Sequence, residues 1–157
     1  MRYTVKKLVA AFAITLSATA YSGEWTVNDK NVAVSMAENS NDALGVDVCG
    51  GAIIFAAPAP PETKEGDQFP VKAVMRIDSI SPWNMQSTAV VRGAVLVSAL
   101  TLTPKLLEEM LKGTTMRVKW AEDAYTRFDL NGLSAILKSM KCDKDYFPEP
   151  NDADYFS

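Results

Sequence analysis

The sequence predicts a mainly β chain: an antiparallel β-sandwich with two short helices, the last tied to an early strand by a disulfide. Three observations carry this. Apolar and polar residues alternate with period two in short segments before residue 102, helical signals gather only after Thr103, and the two cysteines, Cys49 and Cys142, stand 93 positions apart. The chain divides into a signal peptide (1–20), one domain (21–142) and an acidic, aromatic tail (143–157).

The opening segment has the three zones of an export signal. Arg2, Lys6 and Lys7 make a basic start, Leu8 to Leu16 an apolar run, and Ala18-Thr19-Ala20 a small-residue exit of the A-x-A kind, placing the mature start at Tyr21. Nine apolar residues are too few to span a bilayer, which takes about 20. Every charge in the segment is basic, so its removal leaves thirteen basic residues of sixteen against nineteen acidic, a net of −6. With no basic cluster, such a chain is repelled by phosphate backbones and anionic lipid, which argues against nucleic acid as a partner. The remaining length suits a single domain with its own core.

The strands come first. Val32, Val34 and Met36 alternate with Ala33 and Ser35; Leu44, Val46 and Val48 alternate with Gly45, Asp47 and Cys49. Gly50-Gly51 marks a bulge or turn before the run Ala52 to Ala57. Val71, Ala73, Met75 and Ile77 put one face inward, and Ala89 to Leu102, interrupted by Arg92-Gly93, reads as one or two central strands. Between them, Pro58 to Gln68 holds three prolines in four positions and predicts an extended surface loop. Met116, Val118 and Trp120 open a hairpin that turns at Glu122-Asp123 and returns over Tyr125 to Leu130.

Two helices follow from capping and stripe. Thr103-Pro104 supplies an N-cap and a proline at the first helical position, and Leu106, Leu107, Met110 and Leu111 form a stripe that ends at Gly113. A final helix from about Asn131 shows Leu133, Ile136, Leu137 and Met140, with Lys138 and Lys141 toward its C-terminal end and Cys142 beyond. In an oxidising compartment Cys49 and Cys142 pair; the alternative is two buried thiols. The tail carries Asp-Tyr-Phe twice, at 145–147 and 154–156, and either frays or docks on the domain or a partner.

The chain has no histidine, which excludes the usual serine and cysteine hydrolase triads and histidine-ligated metal centres. Neither cysteine has a second ligand at metal spacing, and no pattern calls for a cofactor. Glycoside hydrolysis stays open, since it needs only two carboxylates about 5 to 9.5 Å apart. Glu108-Glu109 and Glu122-Asp123, however, fall on a polar helix face and a hairpin turn, where carboxylates are solvated. The candidate binding residues are Arg76 and Asp78, two apart on one strand and able to order each other, with Trp83 and Ser87. The last two belong to the polar loop Ser81 to Thr88, where an aromatic beside hydrogen-bonding groups suits a glycan or protein partner. A Trp83 folded back onto the core and a purely structural Arg76–Asp78 pair are the simpler alternatives.

The order of these features resembles the periplasmic domain of type VI secretion-associated proteins of the VasI/TagO kind, and more loosely the invasion-associated locus B family. The residues that carry it are Val48-Cys49, Arg76-Ile77-Asp78, Trp83, Ser87-Thr88, Leu106 to Leu111 before Gly113, Met116 to Lys119, and Phe128-Asp129-Leu130-Asn131-Gly132-Leu133 leading to Cys142. They cover about Asn31 to Cys142. This chain lacks the extra N-terminal cysteine-containing segment of the secretion-associated proteins and adds the acidic tail. The resemblance implies a β-sandwich with a closing helix and an accessory role in the envelope. Together with the export signal it leads to the expectation of a non-catalytic periplasmic or secreted binding domain, whose partner is an envelope protein or cell-wall component. The alternatives are a protein inhibitor of a wall-degrading enzyme and a two-carboxylate glycan hydrolase.

Overall fold

The computed structural model describes residues 24–120 and 125–142. The expected signal peptide, the Glu122-Asp123 turn and the aromatic tail lie outside them. Nine strands are present: β1 (Thr26–Val27), β2 (Ala33–Met36), β3 (Ala43–Asp47), β4 (Ala52–Pro58), β5 (Gln68–Ile77), β6 (Trp83–Arg92), β7 (Val95–Thr101), β8 (Thr115–Lys119) and β9 (Tyr125–Asp129). Two helices, α1 (Pro104–Lys112) and α2 (Leu133–Ser139), complete the described chain. The strands pair antiparallel in the order β1-β2-β3-β4-β7-β6-β5-β8-β9.

The chain is thus mainly β with two helices and a Cys49–Cys142 disulfide, as expected, but its strands form one curled sheet, an open half-barrel, in place of two separate layers. The reason lies in β7. It pairs β4 along its whole length, from Ala52↔Thr101 to Pro58↔Val95, but pairs β6 only from Val90↔Val97 to Arg92↔Val95. Beyond that hairpin the two halves of the sheet diverge while remaining one ladder. Their far edges meet again: the Glu38 backbone N–H donates to Arg127 O at 2.8 Å, and the Trp25 indole donates to Asp129 O at 2.9 Å.

The space between the halves is the main core. Leu44, Val46, Ile53 and Phe55 from one half face Met75, Ile77, Met116, Val118 and Phe128 from the other, all buried. Both helices close onto this core. Thr103 accepts a hydrogen bond from Leu106 N–H at 3.2 Å as the N-cap of α1, whose Leu106, Leu107 and Met110 are buried. Leu133 and Leu137 of α2 are buried as well, and the helix starts at Leu133, two residues after the expected Asn131, because Leu130 to Gly132 form a turn closed by Leu133 N–H to Leu130 O at 3.1 Å.

A second apolar cluster occupies the outer face of β2, β3, β4 and β7: Val32, Val34, Ala43, Ile54, Ala56, Val95 and Val97 are all buried. Strands apolar on both faces belong between two layers. β5 and β8 instead alternate buried and exposed residues, as half-buried strands do. The β3–β4 hairpin turns at Gly50-Gly51, where Gly51 has φ +67° and a side chain at Gly50 would collide with the Asp47 carboxylate, which accepts from Gly50 N–H at 2.8 Å. The proline-rich stretch is a surface loop over residues 59–67, pinned to the β6–β7 hairpin by Gly66 N–H to Val91 O and Val91 N–H to Asp67 O, each 2.9 Å.

Candidate functional site

The four residues singled out from the sequence do not converge. Arg76 is exposed on β5 and lies opposite Arg117 of β8 in the ladder, so its nearest cross-strand neighbour carries the same charge. Asp78 has left the strand: β5 ends at Ile77, Asp78 adopts φ +50°, and no ion pair joins it to Arg76. Its carboxylate instead accepts from Thr114 Oγ1 at 2.8 Å, Thr115 N–H at 3.0 Å and Thr114 N–H at 3.1 Å, tying the end of β5 to the start of β8. These bonds, the Thr114 hydroxyl first, hold the Asp78 carboxyl below its ordinary value.

Trp83 and Ser87 also serve the fold. The segment Ser81 to Thr88, expected as a polar loop, is mostly β6, paired with β5 from Met75↔Trp83 to Val71↔Ser87 and onward. Trp83 is half-buried against the core, donates its indole N–H to Glu109 of α1 at 2.6 Å, and carries Lys105 Nζ 5.9 Å from its ring centroid. The Ser87 hydroxyl donates to Ala99 O at 3.1 Å, bridging β6 and β7 where their ladder has parted.

The concave features lie elsewhere, at Trp120. This residue follows β8, and its ring meets Phe55 edge-on, with centroids 5.0 Å apart and planes at 83°. On the inner face of the sheet, Phe55, Ala57, Val71, Ala89, Leu96 and Trp120 line a cavity of about 230 Å³ whose polar side chains, among the described residues, are Asp42 and Ser98. Asp42 accepts from the Thr126 hydroxyl at 2.7 Å. On the outer face, Lys72, Val74, Asn84, Gln86, Lys119 and Trp120 line an open groove of about 440 Å³. β5 pairs β6 from Gln68 onward but pairs β8 from Val74 to Ile77, and among the described residues no strand pairs the other edge of Gln68 to Ala73.

An apolar cavity with one or two polar groups at its wall can bind a ring or short branched chain by burial. Among the described residues Asp42 is the single carboxylate lining either feature. Burial at the β3–β4 turn raises the Asp47 carboxyl above its ordinary value, against the lowering effect of its backbone hydrogen bonds. Among the described residues no cluster of metal-ligating side chains occurs, and no helix is long and apolar enough to cross a membrane. Sequence reading missed the Trp120 site because Trp120, Phe55 and Val71 appear there only as inward positions of three separate strands. Comparison of the chain with protein-family models, with curated proteins and with solved structures finds no match.

Proposed function

We propose that this chain is an exported, non-catalytic binding domain of the bacterial envelope, acting in the periplasm or after secretion and holding its partner at the Trp120 site. The observation that carries the reading is the cavity itself: an apolar hollow walled by Phe55 and Trp120, open to solvent and lined by the Asp42 carboxylate. The Cys49–Cys142 disulfide supports an oxidising compartment, and the export-type segment Met1 to Ala20 supports the route to it. The resemblance to the VasI/TagO kind supports a secretion-associated accessory role. Two sheet halves facing each other across one core are compatible with kinship to a β-sandwich.

The test is a pull-down from a periplasmic extract with the wild type and with Ala57→Phe, which places a ring in the cavity. An envelope protein or wall fragment retained by the wild type and lost from Ala57→Phe is the expected outcome. Equal recovery by both, or turnover of a wall glycan by the purified wild type, overturns the reading.

A further inference from the structure

Four cations from two separate strands come together on the outer face of the sheet, and we infer that this face binds a carboxylate-bearing polysaccharide through Lys72, Arg76, Arg117 and Lys119. The face is turned away from the core and from the apolar cavity, so the inference goes beyond the cavity reading and does not rest on it.

The ladder fixes the arrangement. Met75 and Ile77 of β5 and Met116 and Val118 of β8 point into the core, so Lys72, Val74 and Arg76, with Arg117 and Lys119, point outward. Arg76 stands directly opposite Arg117, and Arg117 opposite Arg127, at the roughly 4.8 Å spacing of neighbouring strands. Lys119 lies opposite Val74, the next outward position of β5, and Lys72 is one outward position further. From Arg76 to Lys72 the cations thus follow a track of about 14 Å. Like charges directly opposite weaken a sheet, and none of the four has an ion pair among the described residues. The nearby carboxylates are engaged elsewhere, Glu38 by Arg127 and Asp78 by Thr114 and Thr115. An anion lying over Arg76 and Arg117 offsets a repulsion that the fold by itself leaves standing.

Three features select a glycan among anions. Asn84 and Gln86 line the groove beside the cations, Gln86 directly opposite Lys72 and Asn84 opposite Val74, and a carboxamide both donates and accepts, which matches the hydroxyls of a sugar. Val74 and Tyr125, 40% and 51% exposed, flank Lys119 in the ladder and offer apolar surface to the C–H face of a sugar ring. Charge density is the third. The chain as a whole carries a net −3, which opposes an anionic bilayer, or a duplex with one phosphate per about 1.7 Å, far more than a polymer with one carboxylate per sugar.

The probe is polygalacturonate, titrated calorimetrically into the full oxidised chain and into the same chain carrying Arg76→Gln with Arg117→Gln. Wild-type affinity falls as salt rises from about 50 to 200 mM; with two of the four cations gone, the double variant binds about tenfold more weakly and shows about half the salt dependence. Its melting temperature is unchanged or higher, because the opposed charges are gone, and this separates lost binding from lost folding. Lys72→Gln with Lys119→Gln touches neither arginine and repeats the loss in a second background. Ala57→Phe binds as the wild type does, so this result and that of the cavity test are read separately. No binding at about 50 mM salt, or equal affinity of wild type and both double variants, overturns the inference. Equal affinity for a neutral glucan overturns its ionic basis. Tighter binding of duplex DNA or of phosphatidylglycerol vesicles, lost with the same arginines, overturns the glycan assignment and gives the face to phosphate.

Discussion

Replacing Cys49 and Cys142 together by alanine removes the link between the end of β3 and the end of α2 and tests how much of the stability is topological. The bond closes a loop with a sequence separation of 93. In the chain-entropy treatment, opening a loop of that size restores about 16 cal/mol/K to the unfolded chain, or about 4.7 kcal/mol at 25 °C. The folded state loses little beyond the bond, since Leu133 and Leu137 keep α2 on the core and Asn31 Nδ2 still donates to Lys141 O at 2.9 Å. Urea unfolding of the oxidised wild type and the double variant measures the difference. The midpoint falls sharply, and the slope m rises because the uncrosslinked chain exposes more surface when unfolded. For a domain of this size the loss corresponds to a fall in Tm of about 15 to 20 °C. A loss under about 1 kcal/mol refutes the reasoning, because it means the unfolded chain was already restricted in the way the bond restricts it.

Two further substitutions read the packing and the electrostatics of the half-barrel. Gly113→Ala puts a Cβ against Ile77 Cγ2, 3.0 Å from Glu109 O and 3.3 Å from Leu130 Cδ1, so α1 and β5 are forced apart at a closed core; thermal unfolding shows a loss of about 1 to 3 kcal/mol, and an unchanged Tm contradicts the packing. Asp47→Asn keeps an oxygen acceptor for Gly50 N–H but removes a carboxylate whose folded pKa is raised above 3.8 by burial. A raised acid costs stability once it ionises, so the variant is more stable than the wild type at pH 7. That advantage shrinks as pH falls through the folded value and is gone below 3.8, which denaturant midpoints at several pH values check.

Most strands were legible because each carries its own period. Leu44, Val46 and Val48, or Met116 and Val118, announce an inward face without reference to the rest of the chain, and Thr103-Pro104 announces a helix start by local hydrogen bonding alone. β6 was not legible at its start. Trp83 to Thr88 lies where the ladder to β7 has parted, so its inward face is only half-buried, and the Ser81-Pro82 start and the polar Ser87-Thr88 read as loop although Trp83 to Gln86 alternate. The two-layer expectation failed for a related reason: whether two halves remain joined depends on three residue pairs at one hairpin, Val90 to Arg92 with Val95 to Val97, and no local pattern reports their ladder. The candidate residues Asp78, Trp83 and Ser87 carried real chemistry, but it is spent inside the fold on Thr114, Glu109 and Ala99.

The place of the Trp120 site follows from the asymmetry of the sheet. β2, β3, β4 and β7 are apolar on both faces, and β4 is paired with β7 along its whole length and with β3 from Ala52 to Ala56, so this half is a fixed platform. β5 and β8 bury one face only and run out of register with each other: β8 stops pairing at Val74, while β5 has six more residues toward Gln68. An apolar hollow beside that end of β5 gains by filling. The difference in length between β5 and β8 therefore falls beside the apolar hollow, where Trp120 directly follows β8.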